Sequence, residues 1–180
     1  MSELGAVDSA YRTPMNVAGF VGIGLSILAF SAAYGLVLKP STAKILALVL
    51  LAVAGVGMMV VGFPRDAGCI DVTGTGRLHS LFSMPGAIGL PAASMLSAPA
   101  FRVDGRFGRA WQLASFWLGL IAIATGPIVA AELLPGADGL VQQVGMGTSL
   151  AWMAAVSWRL RALARGPAPI GTRHGRPSFG

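Results

Sequence analysis

The chain has 180 residues, of which 54% are hydrophobic and only 11% charged, with a mean hydropathy of +0.71. Soluble domains carry about 25% charge, so this composition excludes a soluble globule; it also excludes a disordered chain, which needs low hydrophobicity and high charge. A single cysteine, Cys69, excludes an intrachain disulfide framework and a multi-cysteine metal site, which leaves an integral membrane protein of one domain.

Five charge-free runs of 20 to 26 residues cross the sequence, between Arg12 and Lys39, Lys44 and Arg65, His79 and Arg102, Arg109 and Glu132, and Asp138 and Arg159. A helix needs about 20 apolar residues to cross a hydrocarbon core of about 30 Å. Each run spans once, and continuous apolarity favours helices over alternating barrel strands. The predicted fold is an all-α membrane bundle of five spans at about 14–38, 45–63, 80–100, 110–133 and 140–158. Residues 1–163 form one transmembrane domain, followed by a flexible basic tail at 164–180.

In chain order, Thr13 before Pro14 reads as an N-cap with proline at the first helical position. Ala18, Gly22 and Ser26 set a track of small residues on the first span, the kind that lets helices approach closely. Ser41 reads as the cap of the second span, where Gly55 and Gly57 serve close packing. Pro64 removes a backbone donor and ends that span. Pro85 and Pro91 in the third span and Pro127 in the fourth free carbonyls within helices. Ser80, Ser83 and Ser94 are near enough to satisfy them, and a bent third span opens a pocket to the outer leaflet. In the fifth span Gly145 and Ser149, then Ala151 and Ala155, continue the small-residue theme, as bundle packing or as a homodimer face. Trp111 and Trp158 read as headgroup anchors, Trp117 and Trp152 as packing residues.

Ten of the 13 basic residues fall on one side of the five spans: Lys39, Lys44, Arg102, Arg106, Arg109, Arg159, Arg161, Arg165, Arg173 and Arg176. Arg12, Arg65 and Arg77 fall on the other, with Glu3, Asp8, Asp66, Asp71, Glu132 and Asp138. The positive-inside rule then puts the N-terminus outside and the C-terminus in the cytoplasm of a plasma-membrane protein. The net charge of +6 and pI near 10.8 follow from this placement. They predict contact with anionic lipid headgroups rather than with nucleic acid.

The segment 63–79 carries the polar chemistry: Arg65, Asp66, Cys69, Asp71, Thr73, Thr75, Arg77 and His79. Asp66 and His79 are expected at one interfacial depth, where a carboxylate can fix the tautomer of an imidazole. Such a pair serves proton transfer or holds a polar headgroup. In a purely structural reading, Asp66 with Arg65 or Arg77 pins the loop and His79 caps the third helix. Candidate ligand-binding residues are therefore Arg65, Asp66, Asp71, Arg77 and His79, and the candidate catalytic residues are Asp66 and His79. Asp66, Cys69, Asp71 and His79 have no recognised zinc spacing. Two histidines, His79 and His174, do not suit membrane haem, so no metal or cofactor is expected. The spans hold no ionisable residue away from their ends, which disfavours an ion-driven pump.

Four segments in order resemble the bacterial and archaeal membrane family called domain of unknown function 998. They are Ser2-Glu3-Leu4-Gly5, Arg12-Thr13-Pro14-Met15-Asn16, Gly62-Phe63-Pro64-Arg65-Asp66 with Leu78-His79, and Gly139-Leu140-Val141-Gln142-Gln143. The third is similar to that family's Gly-x-Phe-Pro-x-Asp … His signature; in the fourth, Gln143 stands where the family has a basic residue. The resemblance implies six helices, with this sequence starting in the loop after the first. It thus points to a start called too late, a truncation or a five-helix variant, and it implies no activity. The expected function is a non-catalytic multi-pass membrane protein with a lipid or ligand site at 63–79. The alternatives are a small-molecule transporter or membrane-embedded enzyme using Asp66 and His79, or an accessory subunit of a membrane complex; membrane lipids and a second copy or a membrane-protein partner are the expected contacts.

Overall fold

Each charge-free run is wound into one helix. The computed structural model describes residues 2–66, 72–131 and 133–166. Its five long helices are α1 (Arg12–Val37), α2 (Thr42–Val61), α3 (Gly74–Asp104), α4 (Arg109–Ala130) and α5 (Asp138–Ala164). A short 3₁₀ turn, Ser2–Gly5, precedes them, and Met15–Val21 of α1 is wound more widely, in a π-type turn. Helices α1 to α4 are long and apolar enough to cross a membrane. Helix α5 has 27 residues, but Gln142, Gln143, Thr148 and Ser149 dilute its apolar stretch, and length and composition do not place it with the other four.

The helix ends follow local chemistry. Ser41 Oγ accepts from the Lys44 amide at 3.1 Å and caps α2 as expected. Helix α1 begins before Pro14, at Arg12, without a side-chain cap, so Thr13 is not its cap. Helix α3 begins six residues before the predicted span because Thr73 caps it: Thr73 Oγ1 accepts from the Gly76 amide at 3.1 Å. His79 therefore lies inside the helix and is not its cap. Gly105 ends α3 in the left-handed region at φ +76°, a conformation open to glycine at no steric cost.

Helices adjacent in sequence pack side by side, α1 on α2 through to α4 on α5, and α5 returns to α1. Lipid tails are as apolar as side chains, so close packing and hydrogen bonds hold such a ring together. Gly24 and Gly55 meet where α1 crosses α2, and a Cβ on Gly24 would lie 2.7 Å from the Gly55 carbonyl oxygen. This contact corrects the predicted track on α1, since Ala18 and Ser26 are exposed and Gly22 touches no other helix. Gly119 lets α4 approach α3, with Pro91 O only 2.6 Å from where its Cβ would stand. Gly145 and Ser149 are buried in the bundle as expected, whereas Ala151 and Ala155 are exposed.

One end of the ring is tied across. Asp104, 1% exposed, accepts from the Lys39 amide at 2.8 Å and from Arg106 Nε and Nη2 at 2.7 and 2.8 Å. Arg106 Nη2 also donates to the Val37 carbonyl, and Arg159 Nη2 donates to the Arg106 carbonyl at 2.8 Å. Lys44 Nζ closes the end of α1 by donating to Gly35 O and Leu38 O, both at 2.6 Å. Phe101 and Phe107 stack with centroids 3.9 Å apart, and Arg159 lies over the Phe107 ring at 5.9 Å. One layer above, Trp152 is buried edge-on to Phe30 and donates to Ser115 Oγ at 3.0 Å, while Tyr34 and Ser97 share a hydrogen bond of 2.9 Å. Trp152 is thus the packing residue expected. Trp117 is not, being 55% exposed.

Candidate functional site

At the opposite end, α2 stops at Val61 and the chain turns through Gly62, Phe63 and Pro64. The strand-like stretch beyond it pairs with the N-terminal segment: the Val7 amide donates to the Arg65 carbonyl at 3.0 Å, making a short parallel bridge of Ala6 with Arg65. Asn16 Nδ2 reaches from α1 to the Gly5 carbonyl at 3.2 Å and holds that segment down.

Asp66 organises the approach to α3. Its Oδ2 accepts from the amides of Val72 and Thr73 at 2.8 and 2.7 Å, and its Oδ1 accepts from Thr73 Oγ1 at 2.7 Å. The same Thr73 hydroxyl oxygen caps α3, so Asp66 fixes the cap that starts the helix. Gly76 is buried against this carboxylate, and a Cβ there would collide with Asp66 Oδ2. The amide and hydroxyl of Thr73, followed by the Val72 amide, hold the Asp66 carboxyl below the usual carboxylate range, against the opposing effect of burial.

His79 is 2% exposed on the second turn of α3. Its Nδ1 lies 3.0 Å from the Phe63 carbonyl oxygen, which can only accept, so Nδ1 carries the proton. Its Nε2 is buried without a hydrogen-bond partner, and its ring meets the edge of Phe20 at 5.7 Å. Asp66 and His79 therefore share one end of the molecule but do not bond to each other. Each braces a different side of the loop. Arg65 is half-buried and contributes its backbone to the bridge, and Arg77 is exposed on the first turn of α3. Cys69 and Asp71 lie outside the described residues. Among the described residues no group of three or more His, Cys, Asp or Glu is gathered as a metal site would require.

Behind this loop lies a cavity of about 800 Å³ bounded by residues of all five helices. It runs beside the proline-bearing stretch of α3, where a pocket was expected. Two of the serines nearby do not satisfy the carbonyls that the prolines free: Ser83 Oγ donates to the His79 carbonyl at 2.7 Å, and Ser94 Oγ to the Ser115 carbonyl of α4 at 2.7 Å. The walls are apolar, with Phe20, Met58, Leu90 and Met146 among them, and the only polar side chains there, among the described residues, are those of Ser83, Thr125, Gln142 and Ser149. Sequence reasoning expected a pocket beside the bent α3 but did not name the α4 and α5 residues that wall it, because no motif marks them. The signal available was the clustering of Gly and Pro in the adjoining halves of α3 and α4.

A family model described as "Protein of unknown function (DUF998)" matches residues 1–159. No curated protein and no solved structure matches the chain. The match takes in all of α1 to α4 and most of α5, including the Asp66 loop and the cavity, and the chain belongs to this family of proteins of unknown function.

Proposed function

We propose that the protein is a non-catalytic, five-span protein of the plasma membrane that holds an amphiphilic ligand at its Asp66 end. The observation that carries this reading is the apolar cavity of about 800 Å³, within the range of about 300 to 1,000 Å³ typical of ligand sites. Phe20, which lines the cavity, meets the ring of His79 beside the Asp66 loop. The Asp104 end carries the basic excess, which supports a cytoplasmic placement for it and an outward placement for the cavity. Asp138 and Arg159 flank α5 at opposite ends of the bundle, in keeping with a fifth crossing.

The transporter or enzyme reading built on Asp66 and His79 draws less support. The Asp66 oxygens are occupied by Val72 and Thr73, and the His79 proton by Phe63, so neither group is poised to exchange a proton with the other. The test is mass spectrometry of the protein purified in mild detergent and washed free of bulk lipid. A stoichiometric amphiphile retained by the native chain is the expected result. A ligand-free protein, even when it is prepared directly in native membrane discs, overturns the reading.

A further inference from the structure

The polar groups lining the cavity are arranged unequally, and this identifies the class of ligand. Three of the four are hydroxyls that spend their proton on their own helix: Ser83 on His79 O at 2.7 Å, Thr125 on Ala122 O at 2.7 Å and Ser149 on Gly145 O at 3.0 Å. No charged side chain lines the cavity among the described residues. A buried ionised group there would lack any partner, at a cost that proteins avoid. The interior therefore suits hydrocarbon. Gln142 differs, because its carboxamide forms no hydrogen bond among the described residues, leaving two donors and an acceptor open. It is exposed, and with Met84 and Ile88 of α3 and Pro127 of α4 it marks where the cavity reaches the surface. Asp138 is exposed one turn before it on α5 and opposes an anionic group at the mouth.

Resting on the function proposed above, we infer that the ligand is an uncharged membrane lipid with a free hydroxyl, of the diacylglycerol type. One acyl chain fills the cavity between α3, α4 and α5, and the hydroxyl and ester of the head bond to the Gln142 carboxamide. Four of the five helices are apolar enough to span, so such a lipid reaches the mouth from within the bilayer.

The test uses the full-length protein in phosphatidylcholine nanodiscs with two photoactivatable lipid probes, a diazirine-labelled diacylglycerol and a diazirine-labelled oleate, and a diazirine alkane as control, and maps the labelled peptides. The diacylglycerol probe should label the peptides around Ser83–Pro91 and Gln142–Ser149, and unlabelled diacylglycerol should compete. Ala87→Trp, which fills the cavity from α3, should cut that labelling about tenfold. Ala124→Leu obstructs it from α4 and serves where the tryptophan variant fails to fold. Gln142→Leu should cut diacylglycerol labelling by about 2- to 10-fold and leave labelling by a diazirine alkane unchanged. Equal or stronger labelling by oleate overturns the uncharged head while the cavity reading stands. Unchanged diacylglycerol labelling of Gln142→Leu overturns the placement of the head. Failure of both probes to label the lining above the lipid-facing residues of α2 overturns the cavity reading itself.

Discussion

At its Asp104 end the bundle is bolted from helix to helix, and at its Asp66 end the same helices stand around a cavity beside a braced loop. The bolts are of mixed chemistry: a buried carboxylate gathering Lys39 and Arg106, an arginine reaching from α5 to the Arg106 carbonyl, stacked rings, and an indole bonded to Ser115. At the other end His79, Asn16 and Asp66 brace the loop and the N-terminal segment, while the hydroxyls lining the cavity, Ser83, Thr125 and Ser149, bond to their own helices. Bonds between helices fix the ring, whereas bonds within a helix leave its neighbours free to stand apart. One end thus bears the stability of the fold and the other keeps volume open.

This contrast is sharpest under substitution. Asp104→Ala removes the shared acceptor of the Arg106 guanidinium and the Lys39 amide and should lower stability by about 2 to 3 kcal/mol, read as a fall in the thermal unfolding midpoint in detergent. Gly119→Ala, at the joint between the two ends, pushes a methyl group toward Pro91 O and should cost about 2 kcal/mol in the same assay. Ser115→Ala leaves the Trp152 indole N–H without its partner and should cost about 1 kcal/mol, with a shift in tryptophan emission reporting the change. Ala87→Leu, on the cavity wall, should change stability by less than about 0.5 kcal/mol. A large loss there would erase the distinction between the ends.

The smallest effect concerns pH. The native carboxyl of Asp66 sits below its unfolded value, so its contribution is present above the unfolded pKa, near 3.9, and is lost as pH falls through the lower native value. Hydrogen exchange at Thr73 to Arg77 should therefore accelerate on acidification below about pH 4, and Asp66→Asn should flatten that dependence. Identical acid profiles for the two proteins would remove Asp66 as the brace.

The five helices were legible because charges are expensive inside a bilayer and so punctuate its spans. The same marker misplaced the start of α3: Arg77 and His79 read as loop, yet Thr73 had already capped the helix. The rotation of α1 was not legible. A helix apolar on every side has no polar face to set its phase, so the track through Gly22 was as plausible as the contact through Gly24. Asp66 and His79 were legible as a pair of polar residues at one end. Their separate partners were not, because the bond to Phe63 depends on how α2 turns into the loop. The Asp104 cluster escaped notice for a similar reason. Its members come from three distant segments, and each alone reads as one more charge at a helix end.

Trp152 belongs to α5, yet it bears on Phe30 of α1 and on Ser115 of α4. During synthesis, α1 to α4 emerge before the residue that locks them together exists. The Gly24–Gly55 contact and the Asp104–Arg106 pair can form within what has already been inserted, but Ser115 must wait for the indole. Final closure is thus reserved for a chain translated through α5, and a polypeptide cut short before Trp152 lacks the means to seal its own interior.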